Sequence, residues 1–425
     1  MNAAVSNIRP AASVLVLRDG PRGIEVLLMR RPERGDNDFR SGACVFPGGV
    51  LDAADREAWR CCLGQDDAQA SARLGLSEGG LNYFVAALRE CFEEVGLLFV
   101  CRPDGTPADL GPHAQALRDW RHRLHLGQAT MAALCDAFDW RLDLRDMAYF
   151  SHWLTPVVRP KRFDTRFFVR LAPPAQQALP DMGEALELLW LTPDEALQPQ
   201  RALKLLNVTQ RTLQDMRGFG SARAAYEHGL ALRGVALHLP RPALGRDGQR
   251  FIIEDHPAYE EIAHLDAHGS GELRCELQAG DVQRLSARLW RVAGKFRNAY
   301  LVRDPGSGGC AVIDADRADA AQWQALHSMA TGEVRHELST QAGAANTTPC
   351  ATGARLQIGP ATTLRWLQLA GATAPCLLLE EERTVIGGAA GGPSELPSEP
   401  VRKLPQDHID WIAPAHGFLV HCATR

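Results

Sequence analysis

The chain has 425 residues, of which 45% are hydrophobic and 23% charged, and its net charge is -5. That length calls for two or three domains with a sizeable core, and the mild acidity excludes a basic nucleic-acid surface. The 11 cysteines are scattered and include no C-x-x-C pair, which argues for a reducing compartment and against a disulfide or zinc framework. The first residues lack a charged start followed by an apolar run, and no apolar stretch approaches the roughly 20 residues of a membrane span. A cytoplasmic protein with no membrane or nucleic-acid partner is expected.

In chain order, residues 12–18 (ASVLVLR) and 24–29 (IEVLLM) read as strands on either side of the turn-rich DGPRG. ACVFPGG is a short strand ending in Pro47, Gly48 and Gly49. Residues 57–82 are rich in Ala, Asp and Gly and read as an irregular or partly helical insertion. The next segment, RECFEEVG (89–96), places Leu88, Cys91, Phe92 and Val95 on one helical stripe. Glu90, Glu93 and Glu94 fall on the opposite side, and Gly96 suits a left-handed helix end. Two readings of this acidic front compete. One is a solvated face, with Arg89 relieving repulsion by pairing with Glu93. The other is a divalent-cation site, since Mg²⁺ prefers carboxylate oxygens together with substrate phosphates.

Residues 114–146 are predicted helical, anchored by Trp120, Leu124, Leu134 and Phe138. FFVRLA (167–172) and LELLWL (186–191) are predicted strands, and Thr192 is a predicted N-cap before a helical run to about residue 230. A second unit begins near 235 with a turn-rich, linker-like stretch. NAYLV (298–302) and CAVID (310–314) are strands, a helix follows near 318–331, and CLLLEEERTVIGG reads as a hairpin. Residues 387–400 are low in complexity.

Taken together, Gly49, Asp55 six residues later, and RECFEEVGL (89–97) resemble the Nudix box. Asp55 stands where a Glu is usual, and a 33-residue spacer interrupts the box before Arg89. Loop closure entropy grows only logarithmically, so such an insertion is tolerable. The interruption, with FPGGVLDAADR, SHWLTP, KRFDTRFF and LLWLTPDEAL, is similar to the acyl-coenzyme A diphosphatase branch of that family. The resemblance covers about residues 10 to 220. It implies that the Gly49 carbonyl and Glu90, Glu93 and Glu94 hold Mg²⁺ or Mn²⁺, and that Arg89 orients the glutamates. The general base stays open between Glu90, Glu94 and a carboxylate outside the box; Glu184 and Glu187, just before Trp190, read as an exposed strand or turn end. Arg159, Lys161 and Arg162 form a basic cluster that either grips a substrate phosphate or is a solvated turn. Upstream, Gly42 and FPGG match a coenzyme A motif in part, but its Arg position is Asp38, with Arg34 and Arg40 nearby.

The C-terminal part, through NAYLV, AVIDADR, CLLLEEERTVIGG and IAPAHG, resembles the metallo-β-lactamase fold. Where that family carries Thr-His-x-His-x-Asp-His, this chain has Thr340 followed by Gln341, Ala342, Gly343, Ala344, Ala345 and Asn346. Two later ligand positions hold Ala372 and Ala389, and His416 alone remains. An alanine offers no donor and one imidazole cannot hold a catalytic zinc, so no zinc is expected here. His336 and Cys350 lie near the lost motif and read as a surface His and a buried small thiol.

The resemblances imply an α/β (α+β) chain. A Nudix α/β/α sandwich with a mixed sheet spans 8–230, with a box insertion at about 56–88. A connecting segment follows at 235–284, then a metallo-β-lactamase-like αββα sandwich at 285–425, lacking its metal ligands. The implied activity is hydrolysis of coenzyme A or acyl-coenzyme A to 3',5'-ADP and a phosphopantetheine product. Alternatives are another nucleoside diphosphate derivative (NADH, ADP-ribose), a lactamase-fold hydrolase, or a non-catalytic nucleotide sensor. A homodimer is compatible with all of them.

Overall fold

Residues 11–17 are buried on both faces, which makes β1 (Ile8–Gly20) a central strand. The computed structural model describes residues 8–33, 40–181, 183–341, 351–368, 375–387 and 409–422. It divides into two units, Met1–Leu239 and Pro240–Arg425.

In the first unit, β1 turns at Pro21 and Arg22 into β2 (Gly23–Arg30), followed by β3 (Cys44–Val45) and β4 (Gly48–Val50). A 3-10 segment (Ala53–Cys61) leads to β5 (Cys62–Leu63), α1 (Asp67–Leu74) and α2 (Gly80–Val95). Then come β6 (Val100–Cys101), α3 (Ala114–His125), α4 (Met131–Phe138), β7 (Arg141–Asp143), β8 (Met147–Leu154) and β9 (Arg162–Leu171). The unit ends with β10 (Glu187–Leu191), α5 (Pro193–Ala196), α6 (Asn207–Met216), α7 (Ala222–Ala231) and β11 (Leu237–His238). The main sheet runs β10-β2-β1-β9-β8-β11, with β3 beside β2 and β4 beside β1. It is mixed, since β9 is parallel to β1 while β2 and β4 are antiparallel to it.

Helix α2 is enclosed on every side. Phe84, Leu88, Cys91 and Val95 pack on Val14, Val16, Leu27 and Met29 of the sheet. Val85 and Phe92 enter a second core with Ala58, Leu117, Leu134 and Trp140, supplied by the 3-10 segment, α3, α4 and the strand entering β7. Gly96 caps the helix at φ +74°, as the sequence predicts. The remaining side of α2 carries Glu90, Glu93 and Glu94.

Some expectations need correction. Helix α2 begins at Gly80, inside the stretch read as an insertion, because Leu81, Phe84 and Leu88 continue its apolar stripe. The helical reading of 114–146 holds for α3 and α4 but fails beyond residue 140, where β7 begins. Strand β8 was not foreseen: it is buried on both faces and slips register between Tyr149 and Ser151, so its sequence lacks a clean two-residue period. Thr192 caps α5 through a capping box with Glu195, but that helix is only 4 residues long.

In the second unit, residues 240–284 are not a bare connection. They hold β12 (Arg241–Gly245), β13 (Gly248–Ile252), α8 (Tyr259–Leu265) and β14 (Val282–Arg284), and Ala243, Ile252 and Ile262 share a small core with Phe418. After β14 come β15 (Leu289–Val292), β16 (Ala299–Arg303), β17 (Cys310–Ile313), α9 (Ala320–Met329) and β18 (Val334–Leu338). β19 (Arg355–Gly359), β20 (Thr362–Leu367), β21 (Cys376–Leu379), β22 (Thr384–Gly387), β23 (Trp411–Ala413) and β24 (Val420–His421) complete the described chain. β14 to β18 form one sheet and β19 to β24 another, and Tyr300, Ile313, Leu364, Leu377 and Ile386 bring both into one core. The hairpin foreseen at CLLLEEERTVIGG is β21 with β22.

Candidate active site

The acidic side of α2 faces protein rather than solvent. Glu90, Glu93 and Glu94 are only 9%, 8% and 2% exposed, which removes the solvated-face reading. Strand β4 covers them. Its pairing sets Gly49 opposite Ala12 on β1, and the Gly48 amide donates to Glu94 Oε2 at 2.7 Å. Gly49 leaves room for Glu90: a Cβ would lie 2.3 Å from the Glu90 Oε1 position.

Arg89 ties the cluster together. Its Nε donates to Asp55 Oδ1 at 2.8 Å, and Nη1 donates to Glu90 Oε1 at 2.8 Å and to Glu93 Oε1 at 3.3 Å. Nη2 donates to the Val50 carbonyl at 2.9 Å, holding β4 to the helix. Asp55 reaches Arg89 across the 33-residue spacer because the 3-10 segment, capped at Asp52, projects it inward; it is 1% exposed.

The charges do not balance. Three carboxylates (Asp55, Glu90, Glu93) share one guanidinium, Arg89, and a fourth, Glu94, is met by the Gly48 amide. Burial pushes Glu90 up to about 7; Arg89 opposes the rise, and Glu93 and Glu184 add to it. Glu94 is raised well above the usual range by burial and by Glu90, with the Gly48 amide opposing. Burial also raises Glu93 and Asp55 against the pull of Arg89. Arg89 itself is held firmly protonated: burial disfavours its charge, but the bond to Asp55 and the nearby Glu90 outweigh that.

A site of this kind suits a hard divalent cation, because every donor is an oxygen and the negative charge is in surplus. Among the described residues, no three His, Cys, Asp or Glu side chains converge as a finished metal site. The oxygens bond Arg89 and the Gly48 amide. The donor chemistry fits such an ion.

Residues 75–206 match the family profile described as the NUDT19 Nudix domain. The chain carries a Nudix hydrolase domain. It is similar to the human acyl-coenzyme A diphosphatase NUDT19, 29% identical over 333 residues, covering 69% of this chain and 87% of that protein. The chicken (Gallus gallus) protein of the same name is 29% identical over 363 residues, covering 71% and 93%. The crystal structure of a Nudix hydrolase from Alicyclobacillus acidocaldarius is 29% identical, with a TM-score of 0.45 over 53% of this chain and 97% of that one.

Other predicted positions in the Nudix domain fare differently. Glu187 is exposed and pairs with Arg30 at 2.8 Å, as a strand end should. Glu184 is half-buried, and its charge adds a minor push to the raising of Glu90 and Glu94. Its sequence neighbourhood gives no periodic signal. Arg121 was missed: its Nε donates to the Glu93 carbonyl at 2.8 Å and its Nη2 to Leu179 at 2.9 Å, fixing the end of α2. Arg162 is buried and donates to the Thr155 carbonyl at 2.9 Å, closing the β8–β9 hairpin. It pairs with Ile8 on β1, four residues from the Ala12 that meets Gly49, so it stands about 13 Å from the box along the strand. Lys161 is exposed and Arg159 half-buried in the same hairpin. Arg40 stacks over Phe163 at 5.1 Å, while Arg34 and Asp38 lie outside the described residues.

In the second unit, Gln341 is half-buried next to Thr340, whose amide donates to Asp314 at 2.7 Å. Gly343, Ala345, Asn346, Cys350, Ala372 and Ala389 lie outside the described residues. His336 and His416 are half-buried.

Proposed function

We propose that the chain is a Mg²⁺- or Mn²⁺-dependent diphosphatase that hydrolyses coenzyme A or acyl-coenzyme A to 3',5'-ADP and (acyl-)phosphopantetheine. The observation that carries this reading is the buried surplus of carboxylates on α2, beside a glycine that leaves room at Glu90. The names of the human and chicken relatives supply the substrate.

Glu90, Glu93, Glu94 and the Gly49 carbonyl would hold the cation, which, when bound, offsets the diphosphate charge and makes water a better nucleophile. Glu90, whose affinity for a proton is raised by burial to about 7, is placed to take a proton from the attacking water. Glu184 is the competing base outside the box. Arg89 positions Glu90 and Glu93 and aligns β4 through Val50. Water adds to one phosphorus, the bridging P–O bond breaks, and each product leaves with its own phosphate.

A turnover panel of coenzyme A, acyl-coenzyme A, NADH, ADP-ribose and nucleoside triphosphates with Mg²⁺ or Mn²⁺ tests the reading. Coenzyme A species should lead the panel, with turnover lost in Glu94→Gln. Faster turnover of NADH or ADP-ribose would move the substrate assignment, and no turnover of any member would end it.

We also propose that the second unit is a metallo-β-lactamase-like sandwich that no longer binds zinc. Its two sheets over one core and the glutamine at position 341 support this. Stoichiometric zinc in the purified chain would contradict it.

A further inference from the structure

Three arginines around the acidic cluster are engaged by protein acceptors. Arg30 meets Glu187 at 2.8 Å, Arg89 serves Asp55, Glu90, Glu93 and the Val50 carbonyl, and Arg121 donates to the Glu93 and Leu179 carbonyls. Arg31 is different. It is half-buried, and its guanidinium makes no hydrogen bond or ion pair with the described residues.

The path of the chain puts Arg31 at the cluster. Leu27 and Met29 point from β2 into the core beneath α2. Arg31 keeps that two-residue period, because pairing with β3 runs one residue past the strand. Arg30 lies opposite Cys44, and the Arg31 amide donates to the Ala43 carbonyl at 3.0 Å. The Arg31 side chain therefore leaves the sheet on the α2 side. From β3 the chain passes through Phe46 and Pro47 to Gly48, whose amide holds Glu94. Glu94 feels the charge of Arg31, which opposes the rise that burial causes.

Glu94 accepts from the Gly48 amide, and Arg31 stays uncommitted beside a surplus of carboxylates. A diphosphate drawn to this cluster brings negative charge of its own, and repulsion from Glu90, Glu93 and Glu94 has to be offset on its flank. Arginine suits that task. Its planar fork matches two phosphate oxygens at once, and it keeps its proton throughout.

We infer that Arg31 grips the nonbridging oxygens of the substrate diphosphate and steadies the charge that builds on the departing phosphate as the P–O bridge breaks. Arg31 gives up no proton in this step. The inference rests on the diphosphatase reading above and adds to it a substrate-contacting cation outside the acidic box.

The test compares Arg31→Ala and Arg31→Lys with the unaltered full chain. Titration calorimetry with coenzyme A in EDTA, where the substrate persists, should show binding weakened by about ten- to a hundredfold in Arg31→Ala. Turnover with Mg²⁺ should fall at least as far, and Arg31→Lys should recover part of both. Mg²⁺ alone should bind Arg31→Ala as tightly as before or more tightly, because a neighbouring positive charge is gone. Melting in EDTA should not move. Unchanged coenzyme A affinity and rate in Arg31→Ala overturn the inference. So does a loss that comes with weaker Mg²⁺ binding or early melting, since Arg31 would then only support the fold. If the unaltered chain prefers ADP-ribose or NADH, the coenzyme A assignment fails alone, and the same variants are judged on that substrate. Failure to bind or turn over any of the three sinks both readings.

Discussion

Each half of the chain buries charge, but in different proportions. In the second unit, Arg291 and Glu261 are both 2% exposed and meet as a two-pronged pair, one prong at 2.9 Å, while the Leu419 amide also donates to Glu261 Oε2 at 2.7 Å. One cation meets one anion, so the charge is balanced, although the buried Arg291 Nε has no hydrogen-bond partner. Around α2, three carboxylates meet one guanidinium and a fourth, Glu94, meets a backbone amide. A balanced buried pair holds a fold in register, while an unbalanced cluster is costly unless something from outside restores neutrality. The stoichiometry, more than the burial, separates scaffold from site.

Four experiments press on that contrast. The largest effect is expected on catalysis: Glu94→Gln should lower kcat by about 10²–10⁴-fold. Its melting temperature in EDTA should not fall, since the Gly48 amide keeps an acceptor and a surplus charge is gone. A variant that melted early would make the cluster structural after all. The balanced pair should behave in the opposite way. Glu261→Gln leaves Arg291 buried without its partner and should destabilise the second unit by about 3–5 kcal/mol, while turnover per folded molecule is retained. Chemical denaturation followed with an assay at matched folded fraction would show the split.

Restoring neutrality is the third probe. Mg²⁺ or Mn²⁺ at about a hundred times its dissociation constant should stabilise the first unit by about 2.7 kcal/mol. Glu90→Gln combined with Glu94→Gln should remove most of that gain. The smallest effect is on pH dependence without metal. Glu90 binds its proton more tightly folded than unfolded, so the EDTA-treated chain should lose stability as pH climbs from about 4.5 toward 7. Divalent cation should flatten that slope. A slope of the opposite sign would mean Glu90 is better solvated than its surroundings indicate.

Much of the fold was legible because some segments obey one rule. The hairpin of β1 and β2, the Gly96 helix end and the Thr192 cap each follow from local sequence. Strand β8 hid because an interior strand with a register slip has no alternating pattern. The start of α2 hid because Gly79 and Gly80 look like loop residues, and only the packing of Leu81 and Phe84 makes the helix worthwhile. At the site, Arg89 and the three glutamates stood out by spacing. Glu184 was named but read as an exposed strand or turn end, and Arg121 did not stand out, because only the folded path of the chain brings it to Glu93.

The long spacer has a further result. Its 3-10 segment and the helices α3 and α4 build a second core over the outer flank of α2. A helix that would otherwise lie on the surface becomes an interior rod, so its amides should be among the last in the first unit to exchange with deuterium. Trimming the spacer to the length of a compact box would remove Ala58 and Cys61 from that core and so part of the cover of α2, which makes the interruption part of the scaffold that aims the glutamates.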